Sequence, residues 1–312
     1  MDQTAVLAQT ITRTGSKQAY YTARLMVDRH LVTDFFKAYA YFRWIDDVID
    51  VSAQTETERI AFIKRQRTLI DGLYNRSIIP ADLSNEEQIL ADLVTRDRDR
   101  QVDSGLRSFI ENMFAIIEFD AYRKGRLISQ QELEWYHERL GISVTDGLQY
   151  FIGNDHVYPR TRGRYLAATA AHIVHLLRDM IEDVADGFIN IPGEYLETHG
   201  LTPESVRAEP FRRWVRQRVE MARDYFREGK RYFDELEVLR CKIVGYWYCA
   251  RFEAVLNAIE RDGYVLREEY DERRNWRTLV NIVGLGVRVT VQHLIQKVSG
   301  LFQSRDSRES NS

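Results

Sequence analysis

The segment YAYFRWIDDVID, residues 39–50, places two carboxylates and a cation on one face of an otherwise apolar helix. The residues that share this face, at intervals of four, three and four, are Tyr39, Arg43, Asp46 and Asp50. The other sides carry mostly large apolar residues, which predicts that the polar face is turned into the protein. Like charges four residues apart destabilise a helix, and desolvation adds to that cost unless a cation neutralises them. The pattern therefore predicts a divalent cation beside Asp46 and Asp50.

The segment HIVHLLRDMIEDVADGFINIP, residues 172–192, repeats the arrangement. Asp179 and Asp183 are again four residues apart, and Arg178 precedes them. Either pair alone fits an ordinary solvated acidic face as well as it fits a metal site. Two pairs on apolar helices, each with a nearby arginine, predict a site for Mg²⁺ and a diphosphate, because Mg²⁺ prefers hard carboxylate and phosphate oxygens.

Composition predicts an all-α fold. A chain of 312 residues, 44% of them hydrophobic, can bury its core as one large domain or two small ones, and we expect a single domain over residues 1–302. Five prolines and apolar residues at three-to-four spacing predict an almost entirely helical protein. The predicted helices span residues 17–27, 31–50, 56–75, 85–98, 104–124, 129–152, 162–184, 208–238, 240–262 and 276–300. The polar tail, residues 303–312, is expected to be disordered.

Charge, cysteine and hydropathy patterns argue against several classes of protein. A formal net charge of -3 gives no reason to expect a nucleic-acid partner. Cys241 and Cys249 lack the spacing of a zinc site or a disulfide framework, which favours a reducing cytosol. The first thirty residues lack the order of a signal peptide, and polar residues interrupt 279–295, so we expect a packed terminal helix there. These patterns predict a cytoplasmic protein with at most peripheral membrane contact.

Several segments, in their order and spacing, resemble the squalene/phytoene synthase family. The segments that carry the resemblance are SKQAYYTARLM (16–26), YAYFRWIDDVID (39–50), FDAYRKGRLISQQELEWYHERLGISVTDGLQYF (119–151), LLRDMIEDVADGFINIPGEYL (176–196) and RFEAVLNAIERDGYVL (251–266). The likeness thus covers roughly residues 15–275. It implies the isoprenoid-synthase helical bundle, with a central hydrophobic cavity and metal ions at its mouth.

The resemblance also implies site residues. Asp46 and Asp50 on one helix, and Asp179 and Asp183 on another, would hold two or three Mg²⁺ ions, supported by the neighbouring acids Asp47 and Glu182. The residues implied to act in catalysis are Arg43, Arg178, Tyr39, Asp120 and His175. Those implied to bind the prenyl diphosphate are Lys17, Tyr20, Tyr21, Arg43, Arg178 and Tyr248. Guanidinium groups suit diphosphate oxygens, and aromatic faces stabilise carbocations, although ordinary core packing explains any single aromatic equally well.

Asp120 and two histidines leave alternatives open. Asp120 shares a stripe with apolar residues and needs a partner, which an ion pair with Arg123 or Lys124 would supply without any role in catalysis. The resemblance favours a position near the diphosphate. His172 and His175 stand where relatives have amide residues, and imidazole is a poor Mg²⁺ ligand. They are therefore either structural, or donors to the diphosphate.

Three functional classes follow from the sequence. The first is head-to-head condensation of two prenyl diphosphates, farnesyl or geranylgeranyl, through a cyclopropylcarbinyl diphosphate to a squalene- or phytoene-type hydrocarbon. The second is a terpene synthase that ionises and cyclises a single prenyl diphosphate on the same scaffold. The third is a non-catalytic lipid-binding bundle, which retention of four motif aspartates argues against. NADPH is not indicated, because GLGVRV (284–289) lacks a Rossmann context, although reductive relatives lack one too.

Overall fold

The computed structural model describes residues 3–50, 55–77, 79–98, 104–270 and 284–297. Within these residues the regular structure is helical, apart from one isolated parallel bridge between Ile128 and Pro192. The helices are α1 (Gln3–Gly15), α2 (Lys17–Leu25), a 3₁₀ turn (Arg29–Leu31), α3 (Val32–Ile49), α4 (Glu56–Asn75), α5 (Asn85–Arg98), α6 (Gly105–Arg123), α7 (Gln130–Ile152), α8 (Arg162–Ala185), α9 (Gly193–His199), α10 (Glu209–Glu235), α11 (Leu239–Arg261) and α12 (284–297). The predicted all-α class is confirmed.

Two helices were not predicted from the sequence. Helix α1 is rich in threonine, a weak helix former, and Thr12 donates its hydroxyl to the Ala8 carbonyl at 2.8 Å. Both residues are fully buried, so packing overrides the low propensity. Helix α9 is too short for periodicity to reveal it. It begins after Pro192 and ends at Gly200, whose φ of 60° terminates the turn.

Local signals explain where the predicted helices begin. Thr55 and Ser129 each form a capping box. In it the hydroxyl accepts a hydrogen bond from the backbone N–H of the glutamate three residues later, and the side chain of that glutamate accepts one from the backbone N–H of Thr55 or Ser129. Ser16 and Ser104 cap α2 and α6 with a side-chain hydroxyl that accepts a hydrogen bond from the backbone N–H three residues later. Such caps satisfy N–H groups that the first turn leaves without partners.

Contacts divide the chain into two compact units. The first comprises residues 1–157 and 182–205, and the second comprises 158–181 and 206–312. Helix α8 belongs mostly to the second unit, and its last turn belongs to the first. The expected single domain over 1–302 stays a prediction, and the tail 303–312 lies outside the described residues.

The first unit holds α3 in place with buried polar bonds as well as apolar packing. Tyr41, fully buried on α3, donates its hydroxyl to Gln66 of α4 at 3.0 Å. Gln66 in turn donates to Glu87 of α5 at 2.8 Å. Buried polar groups that are fully bonded specify one arrangement of the helices around them. The helix that carries the first aspartate motif is therefore firmly oriented.

Among the described residues of the second unit, α12 packs by one face. A Cβ added to Gly286 would lie 3.1 Å from the Trp247 ring, and Lys242 donates to Gln296 at 3.2 Å. The opposite face leaves large apolar side chains at least half exposed, namely Val287, Val291, Leu294 and Ile295. The expected terminal helix is thus packed on one side and apolar on the other. No helix among the described residues is long and apolar enough to cross a membrane.

Candidate functional site

The first aspartate motif lies in the last two turns of α3. Arg43 donates to Asp47, and its other terminal nitrogen is 3.6 Å from Asp46. Asp46 keeps 48% of its side chain exposed, yet burial by the surrounding protein and repulsion from Asp50 raise its pKa to about 6. Arg43 therefore neutralises the Asp46 and Asp50 carboxylates only in part.

Asp50, at the end of α3, shares this electrostatic environment. Burial raises the pKa of Asp50, although the charge of Lys124 opposes the rise. The Asp120 carboxylate acts on both aspartates and raises the pKa of each. An excess of negative charge at this end of the helix is the condition that a bound cation relieves.

Asp120 lies at the end of α6 in a bonded cluster. Arg123 donates its Nε to one oxygen of Asp120 at 2.6 Å, and Tyr136 of α7 donates its hydroxyl to the other at 2.7 Å. Burial nevertheless raises the pKa of Asp120. The ion-pair interpretation of Asp120 is correct as regards Arg123, and the charge of Asp120 also reaches the first motif. Tyr136 had no sequence signal beyond its place in the segment 119–151, one of those that carry the family resemblance.

At Asp179 of the second motif the electrostatic environment is the opposite. Arg178 donates to both oxygens of the adjacent Asp179, and the His175 Nε2 lies 2.9 Å from Asp179. Burial alone would raise the pKa of Asp179, but the hydrogen bonds from Arg178 and His175 outweigh it and hold the pKa well below its usual range. The Asp179 carboxylate is thus held in its charged form by its ion pair with Arg178.

The two histidines of this helix occupy different environments. His172 is 4% exposed, whereas 49% of the His175 side chain is exposed. The sequence placed both on the stripe of the aspartates, and the structure places the His175 ring against Asp179. The two residues therefore need separate explanations.

Asp183, one turn after Asp179, has a partner that the sequence did not predict. Asn190 donates its side-chain amide to Asp183 at 2.7 Å. Asn190 stands between two isoleucines just before Pro192, and a lone amide in such an apolar stretch is the signal that could have revealed it. Glu182, the other acid implied to support the metal, is exposed.

The remaining site candidates lie around the α1–α2 corner and on α11. A Cβ added to Gly15 would lie 3.2 Å from the Tyr39 hydroxyl, so the corner that leads to the exposed Lys17 packs against Tyr39. Tyr20 stacks on Phe36 with ring centroids 5.6 Å apart.

Tyr21 and Tyr248 differ in exposure. Tyr21 turns outward and is 59% exposed. Tyr248, in the second unit, packs on Phe252, and burial raises its pKa. Of these two tyrosines, Tyr21 is therefore the weaker candidate for lining a dry cavity.

The candidate metal ligands of these motifs occur as pairs. Across the described residues, no group of three or more His, Cys, Asp and Glu side chains is arranged to hold a metal ion by itself. Each motif offers two carboxylates, which leaves several positions of an Mg²⁺ coordination shell for water and phosphate oxygens. Sites that bind Mg²⁺ together with a phosphate substrate are built in this way.

Comparison with known proteins gives a match at the level of the family. The family model for squalene/phytoene synthase matches residues 12–280 of the chain. That range includes both aspartate motifs and the cluster around Asp120.

Two curated relatives illustrate the likeness. A bifunctional lycopene cyclase/phytoene synthase of Aspergillus oryzae is 24% identical over 231 residues, covering 67% of this chain and 38% of the relative. A presqualene diphosphate synthase of Rhodopseudomonas palustris is 24% identical over 192 residues, covering 61% of this chain and 63% of that protein. The chain therefore spans less than two thirds of the length of these relatives.

Solved structures share the fold. A squalene synthase of Alicyclobacillus acidocaldarius superposes with a TM-score of 0.63 at 22% identity, covering 85% of this chain and 95% of that one. A dehydrosqualene synthase in complex with a ligand gives 0.65 at 17% identity, covering 93% and 96%. The predicted isoprenoid-synthase type of helical fold is confirmed. The central cavity that the resemblance implies stays a prediction.

Proposed function

The chain belongs to the squalene/phytoene synthase family, and from that premise we propose that it is a prenyltransferase of isoprenoid biosynthesis. The proposed reaction is Mg²⁺-dependent head-to-head condensation of two prenyl diphosphates, farnesyl or geranylgeranyl, through a cyclopropylcarbinyl diphosphate to a squalene- or phytoene-type hydrocarbon. The observation that supports it most is a carboxylate pair beside an arginine in each of two helices, α3 and α8.

The chemistry of the first motif fits Mg²⁺. The pKa of Asp46 stands near 6 because burial and Asp50 disfavour its charge, while Arg43 bonds more closely to Asp47. A divalent cation between two hard oxygen donors would remove that penalty. We propose that Asp46, Asp50, Asp179 and Asp183 hold two or three such ions. When bound, Mg²⁺ supplies neutralisation of the diphosphate as its C–O bond breaks.

Arginine side chains of both motifs are proposed to bind the leaving diphosphate. Arg43 and Arg178 are at present bonded to Asp47 and Asp179. Both are charged forks that match pairs of phosphate oxygens. We expect each guanidinium to turn from its carboxylate to the diphosphate when substrate and metal arrive. Lys17, exposed beside the α1–α2 corner, would add a further charge to the diphosphate.

Other residues would orient the substrate and exclude water from it. The Asp120 carboxylate is fixed from both sides by Arg123 and Tyr136, which keeps its negative field directed at the first motif without rotation. Aromatic faces stabilise a carbocation without capturing it as a nucleophile would. The tyrosines proposed for this role are Tyr39, Tyr20, Tyr21 and Tyr248.

Product analysis tests the proposal. Purified protein is incubated with labelled farnesyl or geranylgeranyl diphosphate and Mg²⁺, with and without NADPH, and the products are identified by mass spectrometry. The proposal expects a hydrocarbon with twice the carbon number of the substrate. A cyclised product of unchanged carbon number would instead support the single-substrate terpene synthase. NADPH dependence would identify a reductive last step.

We further propose a cytoplasmic location with at most peripheral membrane contact. The half-exposed apolar face of α12 supports this, because a face of four such side chains gives only modest attraction to a bilayer. Co-sedimentation with mixed lipid vesicles should recover a minor fraction of the protein. Tight pelleting that high salt leaves unchanged would contradict the proposal.

A further inference from the structure

Asn190 is a buried amide that bonds to one of the motif aspartates. Its side chain is 1% exposed, and its amide nitrogen donates to Asp183 at 2.7 Å. Its amide oxygen is buried and has no hydrogen-bond partner among the described residues. A buried amide that forms only part of its bonds carries a desolvation cost, which calls for an explanation at this position.

Backbone hydrogen bonds fix the loop that carries Asn190 on both of its sides. On the near side, the Phe188 N–H donates to the Asp183 carbonyl at 2.7 Å. The Gly125 N–H donates to the Gly187 carbonyl at 2.8 Å, and both glycines have a positive φ that favours glycine. On the far side, the Gly193 N–H donates to Ile128 at 2.8 Å. The backbone at Asn190 is therefore fixed by bonds that do not involve its side chain.

The orientation of the Asn190 side-chain amide follows from the difference between its oxygen, an acceptor, and its nitrogen, a donor. The reverse orientation would place the amide oxygen against a carboxylate oxygen, and two acceptors repel each other. The nitrogen must therefore face Asp183. A donor held at one oxygen restricts rotation of a carboxylate, which is how residues next to a metal ligand orient that ligand.

We propose that Asn190 is a positioning residue that holds the Asp183 carboxylate in the orientation for binding a divalent cation. This inference rests on the proposed function, since it takes Asp183 to be a metal ligand. The amide is neutral, so it fixes the carboxylate without cancelling the charge that a cation needs. Arg178, by contrast, brings a positive charge to Asp179, one turn earlier.

The test measures metal binding directly. Mn²⁺ binding in the presence of inorganic diphosphate is followed by electron paramagnetic resonance in the wild type and in Asn190→Leu, which keeps the branched shape of the side chain and removes the donor. Loss of a residue that orients a metal ligand costs about 10–100-fold in metal affinity, and we expect a change in that range. Turnover should recover largely at saturating metal, so that the half-saturating Mg²⁺ concentration rises more than kcat falls.

Asn112→Leu is the matched control. Asn112 is also a buried asparagine of the first unit, at 8% exposure, and its amide donates to the Ser108 carbonyl at 2.7 Å. Its loss should lower the melting temperature and leave Mn²⁺ affinity unchanged. If Asn190→Leu does not melt cooperatively, Asn190→Ala is measured in its place, since it leaves a small cavity instead of an apolar contact with Asp183.

The Asp183→Asn variant distinguishes failure of the metal assignment from failure of the positioning role of Asn190. Wild-type Mn²⁺ affinity in Asp183→Asn would overturn the metal assignment, and with it the proposed function of this motif. Weak binding in Asp183→Asn together with wild-type affinity in the folded Asn190 variant would overturn only the positioning role of Asn190. Weak binding in both, with Asn112→Leu unaffected, is the expected result.

Discussion

The two aspartate motifs look alike in sequence and differ in their charge balance. In the first, burial and Asp50 raise the pKa of Asp46 to about 6. In the second, the bonds from Arg178 and His175 overcome burial and lower the pKa of Asp179. The difference arises from the position of the arginine. Arg178 directly precedes its aspartate and grips both oxygens, whereas Arg43, three residues before Asp46, bonds to Asp47.

This difference implies two routes to metal binding. At the first motif a bound cation would relieve repulsion between carboxylates, and below about pH 6 it would compete with a proton on Asp46. At the second motif a cation would have to displace the Arg178 guanidinium from Asp179, and the proposed role of Arg178 in binding diphosphate would follow from that displacement. Equal spacing of aspartates therefore does not imply equal energetics.

Arg178→Gln should produce the largest change among the variants that leave the aspartates intact. It removes a charged fork from the diphosphate, and we expect turnover to fall roughly 100-fold. Arg178→Lys keeps the charge but not the fork, so it should recover only part of the loss. Initial rates of diphosphate release at saturating Mg²⁺ measure both variants. Equal activity of Arg178→Gln and wild type would show that Arg178 serves only to neutralise Asp179.

Metal affinity should depend on pH through the first motif. Below about pH 6 a proton competes for Asp46, so apparent Mg²⁺ affinity should weaken by up to about tenfold per pH unit. Arg43 lowers the pKa of Asp46, so Arg43→Gln should move the onset to higher pH. Mg²⁺ titrations in the presence of inorganic diphosphate, at pH values from roughly 5 to 7.5, measure this change in Mg²⁺ affinity. Asp46→Asn is the control, because the slope it retains belongs to groups other than Asp46, such as Asp50 and diphosphate itself.

The same substitution should change stability in opposite directions at the two motifs. The native metal-free protein keeps a proton on Asp46 that the unfolded chain releases above its ordinary pKa of 3.8, so the free energy of unfolding falls as pH rises from there to about 6. At pH 7, Asp46→Asn should raise that free energy by at most about 1 kcal/mol, since the side chain is half exposed and screened.

Asp179→Asn should do the reverse at pH 7. The lowered pKa of Asp179 contributes stability above its ordinary pKa of 3.8, and this contribution is lost as pH falls below that value. Removing the charge leaves Arg178 without its partner, so the melting temperature should drop. Differential scanning calorimetry with a chelator present compares the two variants. Shifts of the same sign would contradict the contrast between the motifs.

His175→Asn should have the smallest effect. The asparagine amide can still donate to Asp179, so most of the orientation of that carboxylate is kept, while the charge that a protonated imidazole offers the diphosphate is lost. We expect turnover to fall less than about tenfold, with a changed pH–rate profile. Superimposable profiles with equal turnover would remove His175 from the catalytic residues.

The sequence predicted most helices because their apolar periodicity and caps agree with the packing. Ser129 and Thr55 begin their helices as their capping boxes require. Helix α1 was not predicted, because burial of Ala8 and Thr12 outweighs the low helix propensity of its threonine-rich composition. Local propensity and periodicity cannot register that kind of long-range contact.

The candidate site was predicted less completely than the fold. Spacing singled out the four aspartates and their arginines as candidates, since each motif lies on or at the end of a single helix. The partners from elsewhere in the chain, Tyr136 at Asp120 and Asn190 at Asp183, depend on how α6, α7 and the loop after α8 meet. The protonation of Asp46 depends on burial, which spacing alone does not give.

Mg²⁺-dependent release of diphosphate in Asp46→Asn and Asp183→Asn tests the central claim most directly. Each change removes one ligand charge from a different motif, while far-ultraviolet circular dichroism checks that helical content is kept. The account predicts that both variants lose release by roughly 100-fold or more at wild-type metal concentration. Full activity in both folded variants would contradict the claim that the aspartate motifs bind the metal that activates a prenyl diphosphate.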